Sequence, residues 1–284
     1  MSSRKPVEIL VKPWFKDHCF NGKVILPAVE IMEILASAVQ AIRPDILPWT
    51  MCDATFSKFL EIPAGATELS ALIEYDGGDK GEICARLVSQ IHFKKISRIK
   101  EHAQITFLTH LPETADLAAT DLSFPTQASN SVTAEQIYMD LVPFGPVYHT
   151  LTGHLHLSER GAWGTLLAPL LTGDKQTEKT LGSPFPLDGA MHAACVFGQC
   201  VTDFVPFPVG FRERLILNPT RAGEQYKTRV IPVSQSSNEL VFDLFIVDTA
   251  GTLCETLTGL RMRDVSAGLI TPPAWIRNNG FANS

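Results

Sequence analysis

The chain has 284 residues, of which 45% are hydrophobic and 19% charged, and its formal net charge is -6. This is the composition of a globular protein that can bury a core, because disordered chains are rich in charge and poor in apolar residues. The negative charge argues against nucleic acid as the main partner, since phosphate backbones attract basic proteins.

The cysteine pattern and the N-terminal segment bear on the compartment. The six cysteines are scattered without a CxxC pair, which predicts reduced core thiols and no zinc site. They are Cys19, Cys52, Cys84, Cys195, Cys200 and Cys254. The segment MSSRKPVEILVKPWF lacks the apolar stretch of a secretory signal. We therefore expect a cytoplasmic protein without a disulfide framework.

A first helix is predicted at 28–42, AVEIMEILASAVQAI. Its apolar residues fall at 31, 34, 35, 38, 39 and 42, which is the spacing of one helix face, and Pro44 ends the pattern. Strand-like runs rich in Ile, Leu, Phe and Val follow, and DGGDKG (76–81) indicates a turn between two of them. These runs are 53–62, 66–76, 81–97 and 101–110.

The segment 111–130 interrupts this pattern. It is rich in Pro, Ala, Ser and Thr, which predicts a linker. A second helix is predicted at 188–204, DGAMHAACVFGQCVTDF, which is apolar nearly all round, as expected of a helix enclosed by a sheet. Residues 271–284 are expected to form a tail. Further strand-like runs lie at 209–218, 224–235, 239–248 and 252–264.

The two halves repeat one order of elements, a helix followed by strands. After the helices, FSKFLEIPAGATELSALIEY and FRERLILNPTRAGEQYKTRVIPV each run through Phe, a basic residue, apolar positions, Pro and Gly into a strand. Such self-similarity is typical of a gene duplication. A central apolar helix wrapped by an antiparallel sheet is the hotdog arrangement. The predicted fold class is therefore α+β, a double hotdog with an N-terminal hotdog at 1–110 and a C-terminal hotdog at 131–270.

Each half offers one titratable residue near its helix, His18 in the first and Asp188 in the second. Active sites of double hotdogs often lie where the halves meet, so these side chains are candidates for one acid–base pair. Burial lowers the pKa of a histidine and raises that of an aspartic acid. An apolar cleft could hold His18 as a neutral base and Asp188 as a protonated acid at about pH 7.

This pair suits the dehydration of a 3-hydroxyacyl thioester. His18 would remove the proton next to the carbonyl, and Asp188 would protonate the departing hydroxyl. Negative charge on the thioester oxygen would need backbone N–H donors. Gly22 would let the chain approach the ligand closely, and Pro27 would lead rigidly into a helix with free N–H groups.

Two motifs surround the pair. His18, Gly22 and Pro27 have the spacing HxxxGxxxxP, and the segment from Asp188 to His192 has the spacing DxxxH. In both motifs the chain resembles the dehydratase domains of polyketide synthases, whose second motif is DxxxQ/H.

Two further segments extend the resemblance. PFGPVY (143–148) is similar to the family's YGPxF element, and VPFPVGF (205–211) is similar to its LPF segment. The four occur in the family's order and spacing, over roughly residues 10 to 265. A single such motif would be weak, whereas four in order are specific.

The resemblance implies the double-hotdog fold, with His18 as base and Asp188 as acid. It implies a substrate held as a thioester on the phosphopantetheine arm of an acyl carrier protein, with no bound cofactor and no metal. The reaction would belong to polyketide or fatty-acid-like synthesis, with other synthase subunits and a second copy in a homodimer as further partners. Residues expected to contact the substrate or to orient the pair are Gly22, Pro27, Gly145, Pro146, Tyr148 and His192.

The chain departs from the family at four aromatic positions. The family's GYxYGPxF has tyrosines where this chain has Val142 and Phe144, and its final Phe is Tyr148 here. The Trp that often closes LPFxW is Val209. The acid–base pair remains, but a phenol that could bond the substrate or the acid is missing.

A basic run, HFKKISRIK (92–100), is a candidate docking surface. Such a run is usually a solvated face. Because the family's carrier proteins are acidic, we expect it to attract one. Its basic residues are Lys94, Lys95, Arg98 and Lys100.

Alternative functions on the same scaffold stay open. A product-template cyclase or an enoyl isomerase would also use a His/Asp pair, and the shape of the product would distinguish them. A catalytically degenerate double hotdog, kept as an assembly module, would have no physical need for both His18 and Asp188.

Overall fold

The computed structural model of the protein describes residues 3–77, 81–93, 96–111, 123–125, 128–173 and 180–279. These residues form one twelve-stranded sheet, a short hairpin and a few helices. The strands are β1 (Ser3–Leu10), β2 (Cys19–Phe20), β3 (Lys23–Val24), β4 (Leu47–Phe56), β5 (Glu68–Gly77), β6 (Glu82–Phe93), β7 (Ile96–Leu108), β8 (Asn130–Thr133), β9 (Leu151–Ser158), β10 (Gly161–Leu167), β11 (Phe207–Ile216), β12 (Gln225–Gln235), β13 (Glu239–Asp248) and β14 (Leu253–Arg263). The α-helices are α1 (Ala28–Ile42), α2 (Ala134–Gln136), α3 (Phe185–Val201) and α4 (Ala274–Asn279).

The large sheet consists of two halves with the same order of elements. Its strands run β1-β5-β6-β7-β4-β11-β14-β13-β12-β10-β9-β8, all antiparallel. In each half the strand after the long helix lies at the junction, and the strand of this sheet that precedes the helix, β1 or β10, lies further out. β4 and β11 pair there, with Ala54 opposite Phe211 and Thr50 opposite Leu215. The predicted double hotdog is therefore confirmed.

The first central helix, α1, has the bounds that its periodicity predicts. Pro27 precedes it with a φ of -62°, and the Pro27 carbonyl accepts the N–H groups of Glu30 and Ile31. On its inward face Leu35 and Val39 have no exposed surface. Each such fully buried side chain contributes about 1.5–3 kcal/mol through the hydrophobic effect.

The second central helix, α3, is enclosed on all sides, and every residue from Phe185 to Cys200 is buried. It begins and ends three residues earlier than the predicted 188–204, at Phe185 and Val201. The early start is possible because Pro186 is compatible with a first turn, where backbone N–H groups have no partner within the helix. Gly189 permits close packing, since a Cβ there would lie 2.2 Å from the Thr150 hydroxyl oxygen.

The strands β11 to β14 lie within two residues of the predicted runs, whereas no run was predicted for β8, β9 and β10. In the first half, β7 begins five residues before the predicted run 101–110, and the run 53–62 is wrong. β4 ends at Phe56, and the apolar residues after it belong to a segment beside the β2–β3 hairpin. Leu26 donates its N–H to the Leu60 carbonyl over 2.9 Å, and Ile62 donates to Val24 over 2.8 Å. Leu60 and Ile62 are apolar because this segment covers the core outside the large sheet.

The edge strand β1 was not predicted. Arg4, Lys5 and Pro6 interrupt any apolar alternation there, as is typical of an edge strand with one open side. Its other side pairs with β5 along its whole length.

The predicted linker, 111–130, lies largely outside the described residues, as does the end of the predicted tail, 280–284. The described part of the predicted tail contains α4, which packs against α3 and whose Ile276 is fully buried. None of the helices within the described ranges is long and apolar enough to cross a membrane.

Candidate active site

His18 follows a short 3-10 helix, Pro13–Asp17, and faces a cavity between the two halves. Its Nδ1 lies 2.9 Å from the carbonyl oxygen of Ile25. Because a carbonyl only accepts, the proton of the neutral ring lies on Nδ1. The lone pair of Nε2 is therefore left for a ligand.

Burial lowers the pKa of His18 from its ordinary value of 6.5, and the charge of Asp188 opposes this in part. The ring is therefore neutral at about pH 7, as a general base must be.

Gly22 lies at the tip of the β2–β3 hairpin and outside the cavity wall. Asn21 and Gly22 have φ values of 49° and 75°, the left-handed pair of a two-residue hairpin turn. No atom lies within 4 Å of the position that a Cβ of Gly22 would take. The structure thus places Gly22 in the turn after His18 and not in the lining of the cavity. Pro27 has its expected place before α1.

Asp188 lies in the first turn of α3, on the opposite wall of the same cavity. The residue is 6% exposed, and its Oδ2 has no hydrogen-bond partner. His192 follows one helical turn later, with its Nε2 3.0 Å from Oδ2 but outside hydrogen-bonding angles. The structure thus brings His18, Asp188 and His192 together in one cavity.

A loop of the second half is tied to the residue before His18. Gly145 donates its N–H to the Asp17 carbonyl over 2.7 Å, and Val147 donates to the Asp17 carboxylate over 3.1 Å. A Cβ on Gly145 would lie 2.6 Å from the Asp17 side chain, so this approach requires glycine. Pro146 follows at the first position of a 3-10 turn, Pro146–Tyr148.

Phe144 separates the two histidines. Its ring stacks on His18 with centroids 4.4 Å apart and lies 5.2 Å from the ring of His192. At this position the motif comparison expects a tyrosine. Phe144 therefore supplies an apolar wall without a hydroxyl.

Tyr148 lies behind His18, outside the cavity lining, with ring centroids 5.1 Å apart. It is 1% exposed, and its hydroxyl has no partner. Burial raises the pKa of Tyr148 well above its ordinary value, and the charge of Asp188 adds to this. The structure thus does not bring the Tyr148 phenol into the cavity.

The cavity has a volume of about 540 Å³. Val142 and Val209, the two other departures from the motifs, line its wall. α3 contributes a stripe that begins at Asp188 and continues through Cys195 to Gln199. Burial raises the pKa of the Cys195 thiol to about 12, so this side chain is neutral.

The mouth of the cavity, where the lining residues Lys58 and Phe59 are exposed, was not predicted from the sequence. Phe59 lies against Phe20, with ring centroids 5.2 Å apart. The sequence does not single out Lys58 and Phe59, because the strand-like run 53–62 includes them. Lys100 also lines the mouth and donates to the Phe59 carbonyl over 3.3 Å. Arg98 is exposed on the same strand, β7.

Of the predicted docking patch, Lys94 and Lys95 lie outside the described residues. Within the described part of the chain, no three His, Cys, Asp or Glu side chains are grouped so that they could hold a metal ion.

Comparison with protein families gives two matches. A family model for the polyketide synthase dehydratase N-terminal domain matches residues 112–269, and one for the polyketide synthase dehydratase domain matches residues 6–90. No curated protein matches the chain.

Solved structures share the fold at low sequence identity. A dehydratase domain of a trans-AT polyketide synthase from Brevibacillus brevis has a TM-score of 0.73 at 17% identity, over 93% of this chain and 94% of that one. The dehydratase domain from the CurF module of curacin polyketide synthase has a TM-score of 0.72 at 17% identity, over 92% and 93%. A bifunctional dehydratase-cyclase domain from ambruticin biosynthesis has a TM-score of 0.68 at 19% identity, over 92% and 91%.

Proposed function

The chain belongs to the polyketide synthase dehydratase family, whose members are hydro-lyases, and we propose that it dehydrates a 3-hydroxyacyl thioester carried by an acyl carrier protein. One observation carries the proposal: the imidazole of His18 and the carboxyl group of Asp188 face one cavity from opposite halves of the fold. The product is the 2-enoyl thioester.

His18 acts as the general base. With the Nδ1 proton held by the Ile25 carbonyl, Nε2 is the atom that removes a proton from the carbon next to the thioester carbonyl. Phe144, stacked on the ring, restricts its motion and excludes water from one face. A base that is neutral and desolvated accepts a proton readily at about pH 7.

Asp188 acts as the general acid. Its carboxyl group protonates the departing 3-hydroxyl, so the C–O bond breaks and water leaves. The carboxyl group lines the cavity, and because its Oδ2 is buried 3.0 Å from Nε2 of His192, the other carboxyl oxygen is the one that meets the substrate hydroxyl.

Charge that develops on the thioester oxygen needs donors. The N-terminus of α1 supplies free N–H groups, and its first residue, Ala28, lines the cavity. These N–H groups and the helix dipole would stabilise the enolate-like transition state.

The mouth suits a carrier-bound substrate. The rings of Phe20, Phe59 and Phe207 form an apolar cluster that the pantetheine arm can cross, with Phe20 and Phe207 centroids 4.7 Å apart. Lys58 and Lys100 add positive charge at the same opening. An acidic carrier protein would be attracted there, because complementary charge steers association.

The test is a mass-spectrometric assay on a 3-hydroxyacyl thioester attached to a carrier protein. Wild type should remove one water per substrate, and His18→Ala and Asp188→Asn should not. Matched controls are His154→Ala and Asp203→Asn, which change exposed residues outside the cavity lining and should keep full activity.

Other outcomes would contradict the proposal. A product of unchanged mass but altered retention time would indicate isomerisation or cyclisation. No conversion across several acyl chain lengths would indicate a module without chemistry.

A further inference from the structure

A buried phenol, Tyr138, lies against His192 and belongs to no motif discussed above. It sits in a single π-helical turn, Ile137–Leu141, that continues from α2. Such turns are frequent at functional sites. The side chain is 7% exposed, and its ring stacks on that of His149 with centroids 4.1 Å apart.

The hydrogen bonds of Tyr138 determine where its proton points. Leu151 donates its backbone N–H to the Tyr138 oxygen over 2.8 Å. The phenol therefore accepts there and can give its own proton to a different group. Nδ1 of His192 lies 3.4 Å from the same oxygen. Burial raises the pKa of Tyr138, so the phenol retains the proton that it donates.

A donated bond to Nδ1 fixes the tautomer of His192. A neutral imidazole has one N–H and one acceptor nitrogen, so an accepting Nδ1 leaves the proton on Nε2. Nε2 is the atom 3.0 Å from Oδ2 of Asp188. In this tautomer the nitrogen nearest to Oδ2 carries a proton, so it cannot accept the proton of Asp188.

We propose that Tyr138 is a positioning residue, which holds His192 in the Nε2–H tautomer and so keeps the acid proton of Asp188 on the oxygen that meets the substrate. The inference rests on the proposed role of Asp188 as the acid. In the opposite tautomer, the lone pair of Nε2 would accept the proton of Asp188 and withdraw it from the reaction.

The groups that face His192 come from three elements. Asp188 lies on the same helix, Tyr138 on the π-helical turn, and His18 on the opposite wall, close enough for the charges of the two imidazoles to interact. Of these, Tyr138 is placed to bond Nδ1.

The first readout is nitrogen NMR of the histidine rings in the full chain at neutral pH, with the His192 signals assigned by their loss in His192→Gln. Wild type should carry the proton on Nε2. Tyr138→Phe, which removes one oxygen, should populate the Nδ1–H tautomer. A wild-type proton on Nδ1, or a tautomer unchanged by Tyr138→Phe, would overturn the inference.

The second readout is a double-mutant cycle in the dehydration assay. Tyr138→Phe should lower kcat about tenfold, a typical effect of losing one hydrogen bond around a reacting group. KM should stay constant, and the alkaline limb of the pH profile should move to higher pH. In the His192→Gln background the same change should have no effect, because an amide has no tautomer to fix. An equal loss in both backgrounds would indicate a merely structural role.

The matched control is Tyr226→Phe. The Tyr226 oxygen also accepts a backbone N–H, from Arg221 over 2.8 Å, but it lies outside the cavity. This variant should match Tyr138→Phe in thermal stability and leave the pH profile unchanged. If wild type performs no dehydration, the catalytic half of the inference fails with the proposed function, while the NMR measurement still decides the tautomer.

Discussion

Gly145 donates its backbone N–H to the carbonyl oxygen of Asp17 over 2.7 Å, and this contact joins the two halves of the chain directly beside His18. The loop that carries Phe144 is thereby fixed against the residue that precedes His18. The orientation of His18 depends on both halves, although its own hydrogen bonds are made within the first.

Gly145→Ala should break this junction. The added Cβ would lie 2.6 Å from the side chain of Asp17, and overpacking of this kind costs about 1–3 kcal/mol in the free energy of unfolding. Displacement of Phe144 from His18 should lower kcat/KM by about a hundredfold, as small misplacements of reacting groups do. Urea unfolding and the dehydration assay measure the two effects. Gly77→Ala, with no atom within 4 Å of its Cβ, is the control and should change neither.

The acid limb of the pH profile should lie below 6.5. The proposed role of His18 as base requires a neutral ring, and burial lowers the pKa of that ring from 6.5. The rate should therefore persist as the pH falls through 6.5 and decline only at the lowered pKa. NMR titration of the His18 ring in the full chain measures this pKa directly. A value above 6.5 would contradict this account.

Phe144 should help to keep the base desolvated. Phe144→Ala exposes the ring of His18, so the His18 pKa should rise towards its ordinary value and the acid limb should move to higher pH. Phe144→Tyr preserves the stacked ring and should leave the acid limb in place. The pH dependence of kcat/KM for the two variants provides the comparison. Equal shifts of the acid limb in both variants would show that the aromatic ring at position 144 does not set the pKa of His18.

The lysine at the mouth should affect carrier-bound substrates alone. Lys58→Glu reverses an exposed charge, so kcat/KM for an acyl carrier substrate should fall about tenfold at low salt, and less at high salt. Arg98→Glu makes the same charge reversal in the basic run 92–100, the docking surface predicted from the sequence. With a short free thioester, both variants should match wild type. Lys5→Glu, an exposed change on β1, is the control for net charge.

Local sequence patterns predicted the central helices better than the boundaries around them. The bounds of α1 follow from its periodicity between Pro27 and Pro44. The segment 57–61 was misassigned because apolar residues can be buried by a covering segment as well as by a strand. Edge strand β1 carries charges because one of its sides is open.

The site was predictable where chemistry is encoded in motifs and unpredictable where it depends on distant contacts. Spacing and resemblance predict His18 and Asp188 as a pair, and the structure places both in the lining of one cavity. The bond between Asp17 and Gly145 and the contact between Tyr138 and His192 join residues far apart in sequence. No local sequence pattern predicts such contacts, because they depend on how the two repeats pack against each other.

The repeated architecture also places different side chains at equivalent positions of the two central helices. Asp188 is the fourth residue of α3, and the fourth residue of α1 is Ile31, which lines the same cavity. One copy of the position carries a carboxyl group and the other a branched hydrocarbon. A dimer of identical single repeats could not make this distinction, since both copies would change together. Fusion into one chain lets the two positions differ, with a carboxyl group at one and an apolar side chain in the cavity wall at the other.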